Sequence, residues 1–480
     1  MQKSTKIVAT IGPATETEEI IEQLLRAGMN VARFNTKHGT PKWHQERIAR
    51  VKKVAQKLEM PVAVLLDLQG PEIRITLPSE KPFDIKEGEE VIFTSNEKGN
   101  GARSAFIPQI VIETLSIGDR ILIDDGLGEF VVSQIAGTDL HATALGSFTV
   151  SNRKTLNTPG VTIDLPSLIP TDLTQLDGIT KGNVDYVALS FVRNEQDIKI
   201  LRNELASRDL EDCKIVGKIE NQSAIDNIDE IIHASDAIMV ARGDLAVEVP
   251  FEELSYWQKQ IIHKCRELAV PVITATQMLK SMVDNPRPTR AEVSDVANAI
   301  YDGTDAVMLS EETTIGIYPV KAVATQARIA AFNEQHARPE PIATEDADAS
   351  SYITHSAVSL LEVSLLQSNN IHIDKIVCLT ETGQTTRNLA RFRPHVPVYA
   401  LTSNESTYNK LSLLYGVQPY IIKFNQDGKL ESSEALLSQI KELNIYKRIT
   451  KKQKYKAAFE KRLGEIAAKQ AKQKDKCVIS

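Results

Sequence analysis

Long apolar runs are missing from this chain. No stretch approaches the roughly 18 consecutive apolar residues that a membrane span requires, so no membrane partner is expected. The opening MQKSTKIVATIG has no charged segment leading into an apolar one, so no secretory signal is expected either. Cysteine is scarce: Cys213, Cys265, Cys378 and Cys477 lie far apart, with no CxxC pair. That argues against a disulfide framework or a zinc site and makes a reducing cytoplasm the expected location. Charge of one sign is also lacking. With 56 basic and 63 acidic residues the net charge is −7, which argues against a general nucleic-acid binder.

What remains is the composition of a soluble globular protein, 42% hydrophobic and 25% charged over 480 residues, long enough for about three domains. Its dominant signal is a series of short β-branched runs, each followed by a stretch with helical periodicity. The runs are KIVATIG, NVARFNT, VAVLLDL, DYVALSFV, KIVGKIE, AIMVARGDL, PVITAT and AVMLS. Apolar along most of their length, they read as parallel strands covered on both faces. Eight of them alternating with helices is the number that closes a (β/α)8 TIM barrel. The fold class expected is therefore α/β.

One interval is too long for a single helix. Between Asp67 and Asp185 lie FDIKEGEEVIFTS, IGDRILIDDGLGEFVVSQI and DLHATAL, short alternating runs with Gly and Asp turn signals. This predicts an inserted small β-barrel domain. The expected organisation is barrel at 1–72, insert at 73–159, barrel again at 160–335, linker at 336–350 and a C-terminal α/β domain at 351–480. Residues 447–476 hold twelve basic and three acidic residues, read as a solvated surface helix ahead of a docking surface for an anionic partner.

Barrel enzymes place their working residues at the C-terminal ends of the strands. Here those ends carry Arg33, Asn35, Asp67, Lys218, Glu220, Arg242, Asp244, Thr276, Ser310 and Glu312. Cations (Arg33, Lys218, Arg242) beside two carboxylates predict a metal-assisted site for a phosphorylated anion. Lys218 and Glu220 are two apart, so both face the barrel mouth. Glu220 and Asp244 end consecutive strands and can share one divalent cation, or instead form structural ion pairs with Lys218 or Arg242.

Longer motifs then stand out in order: KIVATIGPAT, NVARFN, LLDLQGPEIR, LIDDGL, KIENQSAIDNIDEI, IMVARGDLAVEVP, ITATQMLKSM, PRPTRAEVSDVANAI and ETTIGIYP. The chain resembles the pyruvate kinase family through the barrel and insert and on to about Phe424. The resemblance implies phosphoryl transfer from phosphoenolpyruvate to ADP, giving ATP and pyruvate, with the insert as a lid. Arg33 then holds the substrate phosphate, and Lys218 neutralises the phosphoryl group in flight and the enolate it leaves. Glu220 and Asp244 bind Mg²⁺ or Mn²⁺. The backbone of Arg242, Gly243 and Asp244, with Thr276, receives the carboxylate. Thr276, Ser310 and Glu312 lie where the proton passes to C3. Asn35, His38, Arg74 and Lys154 face ADP. The family habit implies a homotetramer, with a dimer as the alternative.

Three departures accompany the resemblance. The family's monovalent-cation site uses an Asn, a Ser, an Asp and a Thr; here those positions hold Asn35, Lys37, Asp67 and Leu68. The expectation is that Lys37 folds into the vacant site, pairs with Asp67 and serves as a tethered cation, making K⁺ dispensable. Gln69 stands where many relatives carry Lys. After about 424 the third domain diverges, ending in KDKCVIS, which puts sugar-phosphate control in question. A catalytically weak relative kept as a scaffold or regulatory subunit is the second reading, and another barrel enzyme of phosphoenolpyruvate or 2-oxo acids the third.

Overall fold

The computed structural model describes residues 3–101, 103–343, 349–366 and 373–422. Eight parallel strands close into one barrel: Lys6–Thr10, Val31–Asn35, Ala63–Asp67, Tyr186–Leu189, Lys214–Ile219, Ala237–Ala241, Val272–Ala275 and Ala306–Leu309. The eighth pairs with the first, Ile7 opposite Val307. These are the eight apolar runs of the sequence, and nearly every strand residue is buried, as a sheet covered on both faces requires.

Local chemistry sets where the outer helices start and stop. In Glu18–Ala27 the Thr17 side chain accepts the Ile20 N–H, and Gly28 closes the last turn at φ 119°. Arg290–Asp302 begins with a reciprocal Thr289–Glu292 capping box and ends on Gly303 at φ 90°. Such caps satisfy helix-end backbone groups.

The barrel floor has a repeating device. Each even-numbered strand is preceded by Asn or Asp, whose side-chain oxygen accepts an N–H from the strand before it. Asn30 takes Ile7 N–H at 3.1 Å, Asp185 takes Val64 at 2.8 Å, Asp236 takes Ile215 at 3.0 Å and Asp305 takes Val272 at 3.1 Å. The four clamps pin the barrel's strand pairs at the end opposite the chemistry.

The C-terminal domain, helix Ala349–Leu366 with the parallel sheet Ile376–Leu379, Val398–Thr402 and Val417–Ile421, docks on this floor. Leu413 is buried among barrel-interior residues such as Val8, Leu65 and Met239. Asp305, besides its clamp, pairs with the equally buried Arg393 at 2.7 Å and accepts the Tyr415 N–H at 3.0 Å. The lysine-rich stretch 447–476 and the divergence after 424 lie outside the described residues.

The insert has its own core, including the edge-to-face pair Phe93–Phe130. Its main sheet runs Leu156–Asn157, Arg120–Ile123, Gly128–Ala136, Asp139–Ala144, Glu90–Thr94 and Ser104–Phe106. The ladder is open, and the entry segment spans the gap through isolated bridges from Arg74 to Thr155 and from Thr76 to Phe106. Two backbone crossings, near 73–76 and 153–157, connect it to the barrel. No helix among the described residues is long and apolar enough to cross a membrane.

The clamps differ in charge, and that difference is testable. Burial pushes the Asp185 carboxyl up to about 6, against the pull of Lys52. Burial also opposes ionisation of Asp236, but Lys214, the Ile215 N–H and Arg202 hold its pKa below the ordinary value. Because the folded pKa of Asp185 exceeds the unfolded one, its contribution to stability falls as pH rises from about 4 to 6, by on the order of 2–3 kcal/mol. Asp185→Asn keeps the acceptor, as Asn30 does naturally. It should melt at or above the parent at pH 7.5, with the gap closing by pH 5. Asp236→Asn should melt lower at pH 7.5, and thermal melts across pH 5–8 check both.

Candidate active site

The mouth at the C-terminal end of the barrel gathers charge around one ammonium. Lys218 Nζ lies 2.8 Å from Glu220 Oε1 and 3.5 Å from Asp67 Oδ1, and donates to Ser190 Oγ at 2.6 Å. Ser190 in turn donates to the Leu68 carbonyl at 2.7 Å. Burial opposes the Lys218 charge, but Asp67, Glu220 and Asp244 outweigh it and hold the ammonium protonated. Arg33 donates to Asp67 Oδ2 at 2.7 Å and to Thr10 Oγ1 at 2.9 Å. Asp67 thus stands between the two cations, which keep it ionised despite its burial.

Glu220 and Asp244 converge. Burial raises the pKa of each; for Glu220 the nearby Asp244 adds to the rise, and for Asp244 a hydrogen bond with Glu220 works against it. Two carboxyls crowded together in a buried site resist double ionisation, and a divalent cation relieves that strain. No group of three or more Asp, Glu, His or Cys residues able to hold a metal occurs among the described residues. The two crowded carboxyls fit a hard cation that takes two protein oxygens and completes its shell with substrate oxygens and water, as Mg²⁺ does. Charge counting agrees: Arg33, Lys218, Lys37 and Arg74 face Asp67, Glu220, Asp244 and Glu72, leaving nothing over to neutralise a phosphorylated substrate.

The same rim carries strained backbone. Phe191, whose N–H donates to Glu220 Oε2 at 2.7 Å, has φ 55°. Thr276 and Gln277 follow one another at φ 70° and 54°. A β-branched residue there is disfavoured by a kcal/mol or more, about 1–3 by general experience, and persists only where its surroundings hold it. The Thr276 hydroxyl accepts the Gly243 N–H at 2.8 Å.

Several expectations change in three dimensions. Lys37 does not pair with Asp67, because Arg33 and Lys218 already occupy that carboxylate; its ammonium sits on Glu72 Oε1 at 2.8 Å. Arg242 does not present its side chain to the substrate: it forks onto Asp295 at 2.6 and 2.7 Å and reaches the Thr276 carbonyl at 2.9 Å. Only its backbone remains at the mouth. Glu312 is fully buried and commits its oxygens to backbone, accepting Ser310 N–H at 2.8 Å and Leu279 N–H at 3.0 Å. It fixes the Ser310 loop and is not placed to pass a proton.

The nucleotide candidates are spread around the rim. Asn35 caps its own loop, its side-chain oxygen accepting Lys37 N–H at 3.1 Å, and His38 is exposed. Arg74 rests on Glu72 at 2.9 Å and Lys154 on Asp124 at 2.9 Å. Sequence reasoning missed Glu72 and Ser190. Glu72 was readable within GPEIR, and Ser190 as the polar end of the run DYVALS, two residues beyond Ala188.

Comparison with known proteins agrees with this geometry. The sequence model described as pyruvate kinase, barrel domain, matches residues 2–323, and that described as pyruvate kinase, alpha/beta domain, matches residues 359–478. The second match extends past the point where the motif resemblance fades. Pyruvate kinases of Staphylococcus aureus strains MRSA252 and USA300 are each 43% identical over 440 residues, covering 91% of this chain and 74% of theirs. A crystal structure of a pyruvate kinase from Cryptosporidium parvum superposes with a TM-score of 0.82 at 33% identity, covering 92% of this chain and 91% of that one. With its closed barrel, inserted sheet domain and C-terminal α/β domain, the chain belongs to the pyruvate kinase family.

Proposed function

We propose that this chain moves the phosphoryl group of phosphoenolpyruvate to ADP, using Lys218 as the cation that receives the developing negative charge. The observation carrying this reading is the Lys218 ammonium, held charged among Asp67, Glu220 and Asp244. Arg33, anchored by Asp67 and Thr10, holds the substrate phosphate. Glu220 and Asp244 hold Mg²⁺ or Mn²⁺, which when bound supplies Lewis-acid stabilisation of substrate oxygens.

An ADP β-phosphate oxygen attacks phosphorus, the bond from phosphorus to the enol oxygen breaks, and its electron pair stays on that oxygen. Lys218 faces that oxygen and offsets its charge in a site largely shielded from water, where such a fixed cation acts strongly. A proton then adds at C3. Thr276 accepts from Gly243, which leaves its hydroxyl hydrogen directed elsewhere, and with Ser310 it guides that proton in through water. The amides of Arg242, Gly243 and Asp244 receive the substrate carboxylate. Arg74, Lys154, Asn35 and His38 meet ADP as the insert closes, excluding water from the transferring group. The location is cytoplasmic, in keeping with the buried thiols of Cys213 and Cys265, and the working form is a homo-oligomer.

Lys37 favours ionisation of Asp244 while its partner Glu72 opposes it, so the pair brings no net charge to the mouth. Asp67 is taken up by Arg33 and Lys218, and Lys37 and Leu68 stand in place of two oxygen donors, so turnover should hardly depend on K⁺. In a coupled assay with phosphoenolpyruvate, ADP and Mg²⁺, exchanging K⁺ for Na⁺ should change kcat less than twofold; several-fold activation by K⁺ would show that the altered site still takes the ion.

Lys218→Met should lower kcat by on the order of 10²–10³, about 3–4 kcal/mol, while phosphoenolpyruvate still binds. A near-normal rate in that variant would overturn the assignment. Absence of ATP formation by the parent chain with tight substrate binding would instead favour the scaffold reading.

A further inference from the structure

Between the insert and the barrel, beside the site already described, lies a cleft of about 140 Å³. Ile73, Asn157, Phe191, Ser223, Asp244 and Glu248 are among its lining residues. Two of these carboxylates, Asp244 and Glu248, belong to one short helix, Arg242–Glu248. Four residues apart, they lie on the same helical face. One carboxyl is a metal-ligand candidate; the other has no part in the reaction.

Glu248 has a different partner. Its Oε1 accepts Asn157 Nδ2 at 2.7 Å across the cleft. Asn157 ends the return strand of the insert, whose backbone pairs with Leu122 and, through Leu156 N–H, with the Ile73 carbonyl at 2.9 Å. Lys154, three residues upstream, carries one of the insert's two charges directed at ADP. Burial raises the Glu248 pKa, with the Asn157 bond opposing the shift. A desolvated carboxyl held by a neutral amide is a costly contact to break, since separation leaves both groups poorly solvated in a narrow cleft.

We propose that Asn157 and Glu248 form a latch that sets the resting position of the insert against the helix bearing Asp244, so that Lys154 approaches ADP in register with the carboxyl pair. Both are positioning residues: neither touches the reacting atoms, and each acts through the segment it holds. The proposal rests on the reading of the insert as a lid over the nucleotide. It adds a specific route by which a shift of the return strand reaches Asp244 along less than two helical turns.

The test uses the full chain with Asn157→Ala, Glu248→Ala, Glu248→Gln and the double Ala variant. The first readout is amide hydrogen exchange over 154–158 without metal or nucleotide, and the second is the separate KM values for ADP and phosphoenolpyruvate. Each single Ala variant should speed exchange in that segment at least fivefold. Each should also raise KM for ADP at least fivefold, with KM for phosphoenolpyruvate changed less than twofold. The double variant should be no worse than either single one, and Glu248→Gln, which keeps the acceptor oxygen, should match the parent. Should Glu248→Ala fail to fold, Asn157→Ala and Glu248→Gln carry the test. Unchanged exchange, equal shifts of both KM values, or additive losses in the double variant overturn the latch. Asp244→Asn separates this from the metal reading: loss of Mn²⁺ binding with unchanged exchange over 154–158 supports both. If Mn²⁺ binding survives in Asp244→Asn, the metal reading fails while the exchange data still decide the latch.

Discussion

An ammonium held in a nearly closed mouth among three carboxyls governs this protein. Lys218 can stay charged there only because Asp67, Glu220 and Asp244 surround it, and Lys218, with Arg33 on Asp67, in turn favours their ionised forms against burial. Each group alone would be expelled or neutralised at such depth. Together they form a site with balanced charge before substrate arrives and a matching cation where the enolate develops. The unusual backbone of Phe191 and Thr276 belongs to the same constraint, since both residues hold partners of this cluster in place.

The opposite end of the barrel solves a different problem. Asn30, Asp185, Asp236 and Asp305 take backbone N–H groups at the strand starts, and Asp305 extends its role to the C-terminal domain through Arg393 and Tyr415. Rigidity is thus invested at the floor, while the mouth keeps groups that must meet ligands. The insert is attached to the mouth by two backbone crossings and lies outside the strand order pinned from below.

Much of the site was legible because strand geometry projects sequence directly into space. Lys218 and Glu220 share a face through the two-residue alternation of a strand, and Asp244 joins them because neighbouring strands end together. The eight apolar runs and the interrupting insert were readable for the same reason, as burial on both faces leaves a compositional trace. Lys37 illustrates what was not legible. Its unit charge and its place near Asp67 suggested one ion pair, yet Arg33 and Lys218 had already claimed that carboxylate, and Glu72 from another loop took the lysine. Competition among partners far apart in the chain leaves no mark on local pattern.

Glu312 and Arg242 make the same point from the other side. Both sit at strand ends, where a barrel enzyme keeps its chemistry, and both are turned to structural work by neighbours distant in sequence: Leu279 for one, Asp295 for the other. The sequence by itself determined the barrel, the insert, the third α/β domain and the convergence of Lys218, Glu220 and Asp244, because these follow from periodicity and strand ends. Only the tertiary structure decided which carboxylate each cation holds and which rim residues are taken up by structural partners. Those choices depend on distances between loops and on the relative burial of competing charges, quantities that exist only once the chain has closed.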